Sequence, residues 1–133
     1  MNSHYTAYEA LGEDRLHELV DTFYSHVEEH PELSPIFPDD MSETRRKQKQ
    51  FLTQFFGGPA LYTEEHGHPM LRAKHMQFAV TPERSRAWLS CMGQALYETG
   101  IEEPLRSYMF ERFEKTAAHM INTNNSSGQG GSS

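Results

Sequence analysis

The stretch "DRLHELVDTFYSHVEE", residues 14–29, decides the class of fold. Its apolar positions Leu16, Leu19, Val20, Phe23, Tyr24 and Val27 fall at helical spacing with charged residues between them, which predicts an amphipathic helix from Asp14 to Glu29. Working outward, "HPELSPIFPDD" (30–40) carries three prolines, which fix φ and remove amide donors, so a turn-rich connection follows with Phe37 pinned between Pro35 and Pro38. Asp40 followed by Glu43 has the form of a capping box and predicts a second helix from there to about Phe56, stopped by Gly57-Gly58-Pro59. Residues 60–80 show no clean period and read mostly as loop, with a short helical piece around Leu71 to Met76. Thr81 is a cap for a third long helix, with Pro82 at its first position and Gly100 as terminator. Pro104 opens a fourth, whose stripe of Leu105, Met109, Phe113, Ala117 and Met120 ends near Asn122. No strand pattern competes, and an all-α domain is expected over residues 1–123. The tail from 124 to 133, rich in Gly and Ser, has nothing to bury and is expected to be disordered.

With 133 residues the chain is long enough for one core and too short for two. A hydrophobic share of 36% against 23% charged is globular, and no apolar run approaches a membrane span. The start, MNSHYTAYEALGED, has neither a basic region nor an apolar one that would direct export, so the cytoplasm is expected. The single cysteine, Cys91, excludes an internal disulfide and fits a reducing compartment. A net charge of −7 would be repelled by nucleic acid and by anionic membranes, which leaves a small molecule or another protein as the partner class.

The second helix resists an account based on packing alone. Its inward stripe reads Met41, Thr44, Gln48, Phe51, Leu52, Phe55, and burying the two polar members without partners would cost about 1–3 kcal/mol each. Either the helix is rotated, with Thr44 and Gln48 at the edge of the apolar face, or the pair serves a ligand. Tyr24, at the inner edge of the first helix, and Trp88, on the third, bring a hydroxyl and an indole donor to the same interior. Four polar tips directed into one aromatic interior point to a pocket for a polar ligand.

Seven of the eight histidines sort by their neighbours. His17, His26, His30 and His119 lie among charged or off-stripe positions and read as solvated. His66 and His68 form a His-x-His pair that could bind zinc with Glu65 or His75, although an exposed loop explains the pair equally well. His75 has Leu71 one turn before it and Phe78 after it, so its ring is directed toward apolar neighbours. Such a residue is more often a satisfied core histidine than a ligand.

The ordered motifs "FY" (23–24), "IFPDD" (36–40), "FLTQFFGGPALYTEEHGHPMLRAKH" (51–75) and "WLSCM" (88–92) resemble those of the truncated haemoglobins, specifically the group II or O-type branch, over roughly residues 5–123. The resemblance implies a truncated globin fold, a two-on-two helical sandwich around haem b. His75 is similar to the proximal histidine that ligates the iron, and Tyr24 to the distal tyrosine. Thr44 and Gln48 resemble the first and second distal residues of the haem-facing helix, and Trp88 the tryptophan that marks the branch. Phe37 resembles the aromatic residue packed on the haem. Phe51, Leu52, Leu71, Phe78 and Met92 resemble apolar haem-wall positions, while Tyr62 and Arg72 resemble propionate-edge positions. The sequence departs from the family at Gln77, where proline is expected.

The function so implied is binding of O₂, and of other diatomic ligands such as CO and NO, at a pentacoordinate iron beneath a polar pocket. The alternative is a nitric oxide dioxygenase or peroxidase, which would need a separate reductase because the chain carries no flavin or nicotinamide domain. A helical interaction protein or a zinc module without haem is the reading from a third class. Either a monomer or a homodimer is compatible with the sequence.

Overall fold

The computed structural model describes residues 6–70 and 80–121. Helices account for every regular element among these: α1 (Ala7–Leu11), α2 (Glu13–Glu29), a 3₁₀ turn (Ser34–Ile36), α3 (Ser42–Phe55), α4 (Leu61–His66), α5 (Pro82–Glu98) and α6 (Leu105–Met120). No described helix is long and apolar enough to cross a membrane.

The central element is α2, which packs on α3 along one side and on α5 along the other, while α6 backs α5 and α4 rests on α3. Its predicted stripe is the core: Leu16, Leu19, Val20, Phe23 and Val27 are all fully buried. Burying side chains of this size contributes about 1.5–3 kcal/mol each, so this helix anchors the domain. Met92, Ala95 and Leu96 of α5 and Met109 and Phe113 of α6 close the core from the other side.

The start signal for α5 works as the sequence implies: Thr81 accepts the Arg84 amide at 3.0 Å, with Pro82 in the first turn. Gly100, with φ +73°, follows its last turn. Other boundaries differ from expectation. The Asp40–Glu43 capping box does not form; Asp40 instead receives the Ser42 amide on Oδ1 at 3.0 Å, and buried Met41 takes the cap position with no side-chain cap. An apolar side chain pulled into the core outweighs the local cap, and α3 begins at Ser42.

Two short helices were not expected. The first, α1, is held by a capping box in which Thr6 accepts the Glu9 amide and Glu9 accepts the Thr6 amide, each at 3.0 Å. The second, α4, occupies part of what reads as loop, and its support is tertiary. Arg46, Gln50 and Gln54 of α3, spaced one turn apart, meet Glu65, His66 and Thr63 of α4 through bonds of 2.7–3.0 Å. At Gly58 an added Cβ would lie 2.7 Å from the Tyr8 ring and 2.9 Å from the Thr53 methyl, so the α3–α4 turn approaches α1 more closely than a side chain permits.

Candidate functional site

A cleft opens between α2, the 3₁₀ turn and α3 on one side and α5 and α6 on the other. It holds a cavity of about 200 Å³. The walls are largely apolar: Leu33, Ile36 and Phe37; Phe51, Leu52 and Phe55; Phe113, Ala117 and Met120. Into it face Tyr24 from α2, Gln48 from α3 and Trp88 from α5, with Arg84, Ser85 and Thr116 completing the polar lining.

The aromatic residues position one another. Fully buried Phe23 packs edge-on against Tyr24 with centroids 4.8 Å apart, and against Trp88 at the same separation. Trp88 also packs against Phe113 at 5.5 Å. The turn between α2 and α3 brings Phe37 to 6.0 Å from the Tyr24 ring, nearly perpendicular to it. Phe51 stacks on Phe55 at 5.4 Å. Because residues one turn apart share a helix face, Gln48 stands on the same side of α3 as Phe51 and Leu52.

Tyr24 is 4% exposed. Burial pushes its phenol above the ordinary tyrosine value, with the Arg45 guanidinium offsetting part of the effect, so the hydroxyl stays protonated and available as a donor near neutral pH. Among the described residues no side-chain oxygen or nitrogen that is sealed from solvent lacks a partner. Tyr24 lines the cleft, and its hydroxyl makes no hydrogen bond to another described residue. Three polar groups on three helices thus converge in an aromatic slot, an arrangement suited to a flat apolar ligand with one polar end.

Of the sequence candidates, Tyr24, Phe37, Gln48, Phe51, Leu52 and Trp88 line this one cleft. Thr44 is half-buried but is not among the lining residues. Tyr62 packs against Phe51 at 6.0 Å and against the His66 ring at 4.7 Å, outside the lining. Met92 is fully buried in the core beyond it. His75, Leu71, Arg72, Gln77 and Phe78 lie outside the described residues, as does the short helical piece expected around Leu71–Met76; Val80, which follows that segment, lines the cleft. The sequence reading did not single out Arg84, Ser85 or Thr116. Nothing local marks them, since the tilt of α5 and α6 against α3 decides which face meets the cleft.

Three histidines outside the cleft have structural partners. His26 is half-buried and is not merely solvated: its Nε2 lies 2.8 Å from Glu98 Oε1, joining α2 to α5. His66 bonds Gln50 at 2.8 Å, and His68 accepts the Met70 amide at 3.0 Å. Among the described residues no group of three metal-capable side chains converges.

The Bacterial-like globin family model matches residues 6–122. The chain belongs to the bacterial-like globins, in the group II truncated haemoglobin branch. This globin is 62% identical over 115 residues to the group 2 truncated hemoglobin YjbI of Bacillus subtilis, covering 86% of this chain and 87% of that one. It superposes on the crystal structure of the group II truncated hemoglobin from Bacillus anthracis with a TM-score of 0.88 and 63% identity, covering 90% of this chain and 98% of that one. The truncated oxygen-avid haemoglobin from Bacillus subtilis gives a TM-score of 0.87 at 60% identity, covering 89% and 100% of the two chains. The helical architecture of the described residues is therefore that of the two-on-two globins, with α2 joining α3 on one side to α5 on the other and α6 packed on α5.

Proposed function

We propose that this globin holds haem b in the cleft, with His75 as the protein ligand to iron, and binds O₂ or another small diatomic ligand against Tyr24, Gln48 and Trp88. The observation that carries the reading is the convergence of those three polar side chains, from three helices, on one aromatic slot. Haem, when bound, would supply an iron able to take a small diatomic ligand, with His75 as the residue that would hold it.

The chain's own residues supply the rest. Phe37, Phe51, Leu52 and Phe55 exclude water and present flat apolar surface to a macrocycle. The positive charge of Arg84 at the cleft suits the propionates that haem carries, and the family resemblance adds Tyr62 and Arg72 as edge positions. On the distal side the Tyr24 hydroxyl and the Trp88 indole N–H donate toward the ligand, and Gln48 joins or orients them. A ligand that gains negative character, as O₂ does, is held more strongly by such donors than a less polar one such as CO. The oxygen avidity named for the Bacillus subtilis relative supports the same reading. Val80, which lines the cleft directly after the segment containing His75, supports that segment as the source of the iron ligand.

The test is an absorption spectrum of the purified protein, reduced and then exposed to CO. The wild type is expected to give a five-coordinate ferrous spectrum that shifts with CO, and His75→Ala to lose haem or that spectrum. Survival of the spectrum in His75→Ala with its loss in His68→Ala would overturn the assignment.

A further inference from the structure

Arg45 is not among the residues that line the cleft, yet its interactions converge on the part of α2 that carries Tyr24. Its Nη1 donates to the Asp21 carbonyl oxygen and to Asp21 Oδ1, both at 3.1 Å, and its Nη2 donates to Glu28 Oε2 at 3.2 Å. Its guanidinium carbon lies 5.9 Å from the centroid of the Tyr24 ring. Asp21, Tyr24 and Glu28 are spaced by three and four residues and share one stripe of α2. Arg45 therefore spans that stripe with a carboxylate at each end and the aromatic ring between them. Lys49, one turn further along α3, adds a bond from Nζ to Asp21 Oδ2 at 3.2 Å.

Exposed ion pairs add little to stability, but this one differs in kind. The Arg45 side chain is only 23% exposed, and its planar fork binds a backbone carbonyl as well as a carboxylate, which fixes orientation in a way a point charge does not. The Tyr24 ring is bounded by Phe23 and Phe37 on its other sides. Of its surroundings, the cleft is where a ligand would meet the hydroxyl.

We propose that Arg45 is the positioning residue for Tyr24, fixing the ring and so the place of its hydroxyl in the cleft, and that it thereby sets how firmly a polar ligand is held without touching it. This rests on the reading of Tyr24 as a distal donor. The charge of Arg45 also acts against the burial that raises the Tyr24 phenol, which makes the hydroxyl a stronger donor than it would be in uncharged surroundings.

The test compares Arg45→Met, which keeps the stem and removes charge and fork, with Arg45→Lys, which keeps the stem and the charge but not the planar fork. O₂ and CO release from the haem-loaded protein are measured by stopped flow in each, alone and combined with Tyr24→Phe. Arg45→Met is expected to speed O₂ release about three- to tenfold and CO release less than about twofold, and to add nothing once Tyr24 is phenylalanine. Arg45→Lys is expected to fall between Arg45→Met and the wild type. In NMR of the CO-saturated protein with ring-labelled tyrosine, the two edges of the Tyr24 ring are expected to exchange faster in Arg45→Met. Equal acceleration for both ligands, acceleration that persists in the Tyr24→Phe background, or unchanged ring exchange would each overturn the proposal. If Arg45→Met does not fold, Arg45→Lys and Glu28→Gln carry the same comparison. If Tyr24→Phe by itself leaves O₂ release unchanged, the distal reading of Tyr24 falls, and ring exchange alone decides whether Arg45 clamps the ring.

Discussion

Removing a single oxygen atom, in Tyr24→Phe, is expected to speed O₂ release while leaving the fold untouched. The ring keeps its edge contacts with Phe23 and Phe37 and its place beneath Arg45, so packing in the mutant is conserved. The hydroxyl makes no hydrogen bond to another described residue, so its loss strands no protein acceptor among them. The melting temperature is therefore expected to change little, because no described residue loses a hydrogen-bond partner. The ligand does lose a partner. A hydrogen bond to a group carrying charge is worth about 1.5–3 kcal/mol, which at about 1.4 kcal/mol per factor of ten corresponds to about ten- to a hundredfold in affinity. Most of that loss belongs in the dissociation rate, because the bond must break before the ligand leaves. Stopped-flow release of O₂ and of CO from the same preparation separates the causes, since CO is far less polar and its rate is expected to change little. Trp88→Phe is expected to show the same contrast, and Gln48→Leu a weaker one if Gln48 orients Tyr24. Equal acceleration for both ligands would mean that Tyr24 gates passage through the cleft. No change for either would remove it from the distal site.

Two further expectations concern the frame around the cleft. Gly58→Ala would place a Cβ 2.7 Å from the Tyr8 ring and 2.9 Å from the methyl of Thr53, a residue only 1% exposed, so overpacking of about 1–3 kcal/mol is expected in chemical denaturation; an unchanged midpoint would show that α1 yields freely. Hydrogen bonds from Arg46, and then Gln50, bring the Glu65 carboxyl down from 4.5 to about 2. A carboxyl depressed in the folded state favours folding above its unfolded value and loses that contribution as pH falls toward 2. Arg46→Met is expected to return the NMR titration of Glu65 toward 4.5 and to flatten the acid limb of stability between those values; a midpoint that stays near 2 would assign the shift to Gln50 instead.

What was legible in the sequence follows from the range of the interactions involved. The buried stripes of α2 and α6 are read from residues three and four apart, and the start of α5 from Thr81 and Pro82, because helix periodicity and capping act within one or two turns. Tyr24, Gln48 and Trp88 stood out because each brings a polar group to an otherwise apolar stripe, and that too is local information. Asp40 misled because a sound local signal lost to the burial of its neighbour Met41.

Tertiary structure alone decided the rest. Among its results are α4, a six-residue helix held by the polar ladder of α3, and His26, whose partner Glu98 lies 72 residues away. It also turned Arg84, Ser85 and Thr116 toward the cleft and left Thr44 out of the lining. These depend on how α5 and α6 are tilted and rotated against α3. That geometry is fixed by interlocking side chains from distant parts of the chain, and it leaves no period or cap in any one segment.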